Sequence, residues 1–134
     1  MNFHATGGFD VKTTPLPQDE ATGGKAIGRF AIDKQFHGDL EAASKGEMLS
    51  AGNPSKGIAG YVAIEQVAGA LKGRSGSFAL QHTGTMDQGD FKLSVTVVPG
   101  SGAGDLAGIA GTMIITIDAG KHSYEFDYTI PQAS

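Results

Sequence analysis

Val97-Val98-Pro99-Gly100-Ser101-Gly102-Ala103-Gly104-Asp105-Leu106-Ala107-Gly108-Ile109-Ala110-Gly111 is the stretch that decides how this chain is read. Six of these residues are glycine or proline, a density that neither a continuing helix nor a central strand accepts. The run before it (Phe91, Leu93, Val95, Val97) and the run after it (Met113, Ile115, Ile117) alternate apolar residues with polar or smaller ones, which is the period of a strand. The stretch is therefore expected to connect two strands. For the same reason Gly100-x-Gly102-x-Gly104 does not meet the dinucleotide fingerprint, which opens a helix after a parallel strand. The chain reads as all-β.

Bulk properties narrow the function without naming it. The 134 residues make one domain, 1–134, and the 40% hydrophobic and 18% charged composition is that of a folded globular protein. Twenty-one glycines predict many turns and close backbone approaches. No cysteine is present, which excludes disulfides, thiolate metal sites and a cysteine nucleophile. A net charge of -4 with scattered lysines argues against nucleic acid as a partner. No apolar run approaches the ~20 residues of a membrane-spanning helix, so no membrane is expected. The chain opens on Met1 with no basic-then-apolar leader, and a cytoplasmic location is expected.

Eight segments read as strands: about 3–13, 26–36, 40–50, 59–71 and 76–86, the two runs flanking the glycine-rich stretch (99–111), and Tyr124–Ile130. Residues 14–24, with Pro15 and Pro17, read as an exposed loop. Val62–Leu71 competes as a helix by composition, but Gly60, Gly69 and its short length favour a strand. A sequential meander of eight amphipathic strands fits a closed, antiparallel up-and-down barrel, which leaves no open edge. The interior of such a barrel is filled by side chains or holds one small ligand.

Placing each apolar face inward carries a few polar residues with it. Lys34 lies between Ile32 and Phe36, and His82 between Leu80 and Gly84. The fourth strand offers two faces, one with Tyr61, Ala63, Glu65 and Val67 and the other with Val62, Ile64 and Gln66. With the first face inward, the interior holds Lys34, Tyr61, Glu65 and His82, and the lysine and glutamate must pair. Glu65 or His82 is then the expected proton-transfer residue, with Lys34 or Tyr61 steadying an oxyanion. Phe36, Phe78 and Leu80 are expected to line the apolar part of the same pocket. The competing reading is structural: Lys34 extends its ammonium to the rim, His82 is a core histidine, and Tyr61 packs.

No metal or cofactor is expected. His4, His37, His82 and His122 are scattered, with no His-x-His or His-x-x-x-His pair. Gly73-Arg74-Ser75-Gly76-Ser77 lacks the spacing of a nucleophile elbow and reads as a hairpin turn.

Four segments carry a family resemblance: Lys34–Leu40, Gly60–Glu65, Gly73–Met86 and Val98–Gly108. Together they resemble the short bacterial proteins grouped as domain-of-unknown-function family 3224, over nearly the whole chain from Phe3 to Pro131. The resemblance implies a closed eight-stranded barrel of the allene-oxide-cyclase type. The Gly-Asp-Leu-Ala-Gly turn at 104–108 is similar to the Gly-x-Phe-x-Gly turn of the plant cyclases, and more distantly to that of dirigent proteins. Those cyclases hold a fatty-acid epoxide in the barrel with an apolar cavity, a carboxylate and a water. The family itself implies no activity.

The expected function is a barrel that binds a small apolar ligand, acting on it as a cofactor-independent isomerase, cyclase or lyase. The alternative is a filled barrel without a pocket that self-associates as a homo-oligomer through outward apolar residues such as Val98 and Ile114.

Overall fold

The alternation in the sequence closes on itself. A computed structural model describes residues 2–131. It contains β1 (Asn2–Pro15), β2 (Gly28–Gly38), β3 (Leu40–Asn53), β4 (Ile58–Leu71), β5 (Arg74–Asp87), β6 (Asp90–Val97), β7 (Ala103–Gly104), β8 (Ala110–Asp118) and β9 (Lys121–Thr129). Eight of these form a closed antiparallel barrel in the order β1-β2-β3-β4-β5-β6-β8-β9, with β9 returning to β1. Val62–Leu71 is strand, so the helix competitor is excluded.

Three hairpins are set by local chemistry. Lys72-Gly73, Gln88-Gly89 and Ala119-Gly120 each place both residues at positive φ. Such two-residue turns match the right-handed twist of the strands they join. They fix the registers Leu71–Arg74, Asp87–Asp90 and Asp118–Lys121, and the register decides which face of each strand is buried.

Two connections differ from the sequence expectation. The loop at 14–24 is shorter at its start, because β1 continues to Pro15; it then folds into 3-10 turns at Glu20–Thr22 and Gly24–Ala26. The glycine-rich stretch at 99–111 is more than a link. It carries β7, which pairs with β5 at Gly76–Gly104 and Ser77–Ala103, and its last two residues already belong to β8. Its Leu106 and Ile109 turn inward and are buried. Val98 is half-buried rather than a free outward residue, and its N–H donates to Ala79 O.

Leu106 and Ile109 seal one end of the barrel, the base, with Leu40, Leu71, Tyr124 and Phe126. Tyr124 ties this end together: its hydroxyl accepts from Leu40 N at 2.9 Å and donates to His37 O at 2.8 Å. At the other end, the mouth, lie the turns after β3, β5 and β8. There the inward side chains, including Phe91 and Ile117, remain exposed. The barrel is a cup.

Candidate functional site

Four polar side chains meet halfway down the cup: Lys34 on β2, Ser44 on β3, Glu65 on β4 and His82 on β5. All are buried, with exposures of 6%, 1%, 0% and 4% in that order. Backbone pairing explains the convergence. Lys34 is directly opposite Ser44, and Glu65 directly opposite Gly46. A Cβ at Gly46 would stand 2.6 Å from Glu65 Cα. Glycine thus lets the strands approach and leaves open the space over β3 through which the Glu65 carboxylate reaches Ser44 and Lys34.

Glu65 is the hub. Its Oε2 accepts from Lys34 Nζ at 2.8 Å and from His82 Nε2 at 2.6 Å, while Oε1 accepts from Ser44 Oγ at 2.8 Å. Burial alone would push its carboxyl upward. The hydrogen bond from His82, with the charge and hydrogen bond of Lys34, outweighs that and holds it at about 2. Glu65 is therefore ionised and accepts only, so the shared proton belongs to His82 Nε2. Among the described residues no hydrogen bond reaches His82 Nδ1, and no buried side-chain nitrogen or oxygen lacks a partner. Nδ1 is accordingly the accessible ring nitrogen, and His82 lines the cavity.

That cavity has a volume of about 220 Å³ and lies between the polar layer and the mouth. Lys34 and His82 form its polar floor, and Phe9, Met48, Tyr61 and Ile115 much of its wall. A recess of about 320 Å³ adjoins it at the rim, sharing Met48, Tyr61 and Phe91. The Lys34 ammonium lies 4.8 Å from the Phe9 ring centroid and 5.7 Å from that of Phe36, so aromatic faces supplement its single carboxylate partner. Burial, then the negative charge of Glu65, raise the Tyr61 hydroxyl above its usual value of 10, and it stays protonated as a donor.

The structure thus brings Lys34, Tyr61, Glu65 and His82 together inside the barrel, and the Glu65 face of β4 is the inward one. Phe36, Phe78 and Leu80 are buried in the core and are not among the cavity-lining residues. Sequence reading missed Ser44, whose small hydroxyl on an alternating strand carries no distinctive signal. It also missed Phe9, Met48 and Ile115, which are indistinguishable by pattern from core residues. Among the described residues no group of histidine, cysteine or acidic side chains assembles to hold a metal ion, and no helix is long and apolar enough to cross a membrane.

Comparison with known proteins adds a family and no activity. No curated protein matches the chain. A crystal structure of a protein with unknown function from the DUF3224 family of Shewanella oneidensis MR-1 is 54% identical, with a TM-score of 0.89, over 99% of this chain and 100% of that one. Residues 5–128 match the family described as "Protein of unknown function (DUF3224)". The chain belongs to the DUF3224 family.

Proposed function

We propose that the barrel holds one small, largely apolar molecule in the cup, with its polar end directed at the Lys34 and His82 floor. The observation carrying this reading is the buried Lys34–Glu65–His82 layer at the floor of a largely apolar cavity, whose other polar lining residues are Thr13, Tyr61 and His122. Replacing a buried ion pair with well-packed apolar residues is often neutral or stabilising, so the fold alone does not call for these charges. Further support comes from the resemblance to allene-oxide-cyclase barrels, which also work from an apolar cavity.

The chemistry available is cofactor-independent proton transfer, as in an isomerase, cyclase or lyase. His82 Nδ1 is the base. Taking a proton from carbon next to a carbonyl breaks that C–H bond and moves its electron pair towards the carbonyl oxygen. Lys34 and Tyr61 donate hydrogen bonds to the resulting enolate. Glu65 holds His82 in the required tautomer and stabilises the imidazolium, a positioning role, since its own carboxylate is too acidic to serve as base.

The test uses 1-naphthol as a fluorescent probe and 2-tetralone as an enolisable ketone of similar size. Lys34→Met and His82→Gln are expected to weaken 1-naphthol binding by about tenfold or more, the effect of losing one charged or buried hydrogen bond. His82→Gln also removes protein-dependent exchange of the 2-tetralone α-hydrogens in deuterated water. Native protein that binds no 1-naphthol, or variants that bind it equally well, would defeat the binding reading; native protein without exchange activity would defeat the catalytic one.

The outer wall favours a second, compatible role in self-association. Away from the strand ends, the outward residues on β4, β5, β6 and β8 carry a single charge, Lys92 near the start of β6, with Val62, Ile64 and Ile114 exposed. Other outward charges along the strands, such as Asp10, Asp33, Lys45 and Glu125, lie on β1, β2, β3 and β9. A wall with so few charges matches the same wall of a second copy. Solution mass tests this: Ile64→Glu/Ile114→Glu converts an oligomer to monomer, and a native monomer rejects it.

A further inference from the structure

We propose that the seam between β6 and β8 is a side door into the cavity, through which a bound molecule enters and leaves. The barrel wall is zipped unevenly. The β3–β4 register runs from Leu40–Leu71 to Asn53–Ile58, and the β8–β9 register from Ala110–Thr129 to Asp118–Lys121. Strands β6 and β8 pair only at Val95–Met113 and Thr96–Thr112. Continuing that register would set Leu93 against Ile115, Lys92 against Thr116 and Phe91 against Ile117. None of these pairs forms, so the wall opens from Val95 towards the mouth.

What lines the opening gives it a direction. Phe91, Leu93, Ile115 and Ile117 flank the unzipped stretch, and all four also line the 220 Å³ cavity. Phe91 and Ile117 are 51% and 62% exposed, so a continuous apolar path runs from solvent past the seam to Lys34 and His82. Parting β6 and β8 here breaks no ladder hydrogen bond, whereas parting the other strand pairs breaks several. Local opening is cheapest where few hydrogen bonds and contacts must be lost. Folded proteins usually cover or charge a free strand edge; this one carries Lys92 and Asp118 on its outward face, while its inward side chains are apolar and face the cavity.

The inference rests on the cavity reading above, and the experiment separates the two. Lys92→Cys/Thr116→Cys places thiols on the outer face of either side of the slit, outside the cavity lining. The chain has no other cysteine, so a short bis-maleimide bridges this pair alone, and mass spectrometry reports completion. Two readouts are compared before and after bridging: stopped-flow kinetics of 1-naphthol, and diethyl pyrocarbonate labelling of His82 relative to exposed His4 and His37. Bridging is expected to slow 1-naphthol association and dissociation together, by about tenfold, with the equilibrium constant within about twofold. It also slows His82 labelling. Unchanged rates in both readouts with the bridge in place would place entry at the mouth and overturn the proposal. Slowed His82 labelling without any 1-naphthol binding would uphold the side door while the ligand reading falls.

Discussion

Tyr61 stands directly opposite Gly84 in the β4–β5 ladder, and its ring fills the space that a Gly84 side chain would take. A Cβ on Gly84 would run into Tyr61 Cε1 and stand 2.8 Å from Cδ1. These atoms belong to the rigid body of the ring, so the whole side chain has to move. Gly84→Ala is therefore expected to cost about 1–3 kcal/mol, the usual penalty of overpacking, and to change 1-naphthol affinity by turning Tyr61 from the cavity wall. Gly60→Ala is the matched control: its Cβ would lie 3.7 Å from Gly84 O, an ordinary contact. Urea denaturation of the two variants decides; equal stability would mean that the ring is not seated on Gly84.

Acid unfolding reports on Glu65. Its carboxyl is held at about 2 against an ordinary 4.5, so the folded state binds the proton more weakly than the unfolded chain. The stabilisation is fully present above about pH 4.5 and is lost as pH falls towards about 2. Its size is about 3 kcal/mol. Urea midpoints across that window are expected to fall more steeply for the native protein than for Glu65→Gln. Near neutral pH the same variant is expected to cost about 3–5 kcal/mol, because Lys34 is left buried without its counter-charge. Parallel pH profiles would show that Glu65 titrates normally and is no hub.

The strands and their inward faces were legible because each alternation is local and a one-residue slip would bury the wrong side chains. That is why Ile32, Phe36 and Leu80 alone suffice to place Lys34 and His82 inside. Strand β4 is different: both of its faces hold large apolar residues, since Val62 and Ile64 lie on the sparsely charged outer wall, so periodicity leaves Glu65 undecided. Gly46 and Gly84 were illegible as site residues. Their part depends on which residue stands across the ladder, a non-local fact. The sealed base was hidden for a similar reason: Leu106 and Ile109 are isolated apolar residues among glycines and follow no strand period.

Leu106 tests the division of the barrel into a sealed base and an open cup. Leu106→Ala is expected to cost about 2–5 kcal/mol through lost burial and the void left behind. Leu106 lies in the base cluster and is absent from the cavity lining, so 1-naphthol affinity of the folded protein is expected to stay within about twofold of native. Urea unfolding and fluorescence titration measure the two effects separately. A large loss of affinity at little cost in stability would mean that base and cavity are one space.

Tyr124→Phe removes one oxygen from the base and probes how the turn between β2 and β3 is held. The Tyr124 hydroxyl satisfies the buried Leu40 N–H at 2.9 Å and donates to His37 O at 2.8 Å, on either side of Gly38-Asp39. The phenylalanine ring retains the packing against Phe36, whose centroid lies 5.7 Å away edge-on, so the change isolates the hydrogen bonds. Leu40 N–H is then stranded in an apolar base, at a cost of about 1–3 kcal/mol. Amide hydrogen exchange is expected to accelerate at Leu40 more than at Phe126, which lies on the same strand as Tyr124 but away from the turn. Uniform acceleration at both would instead mean that the tyrosine supports the whole barrel through its bulk, with no special hold on this turn.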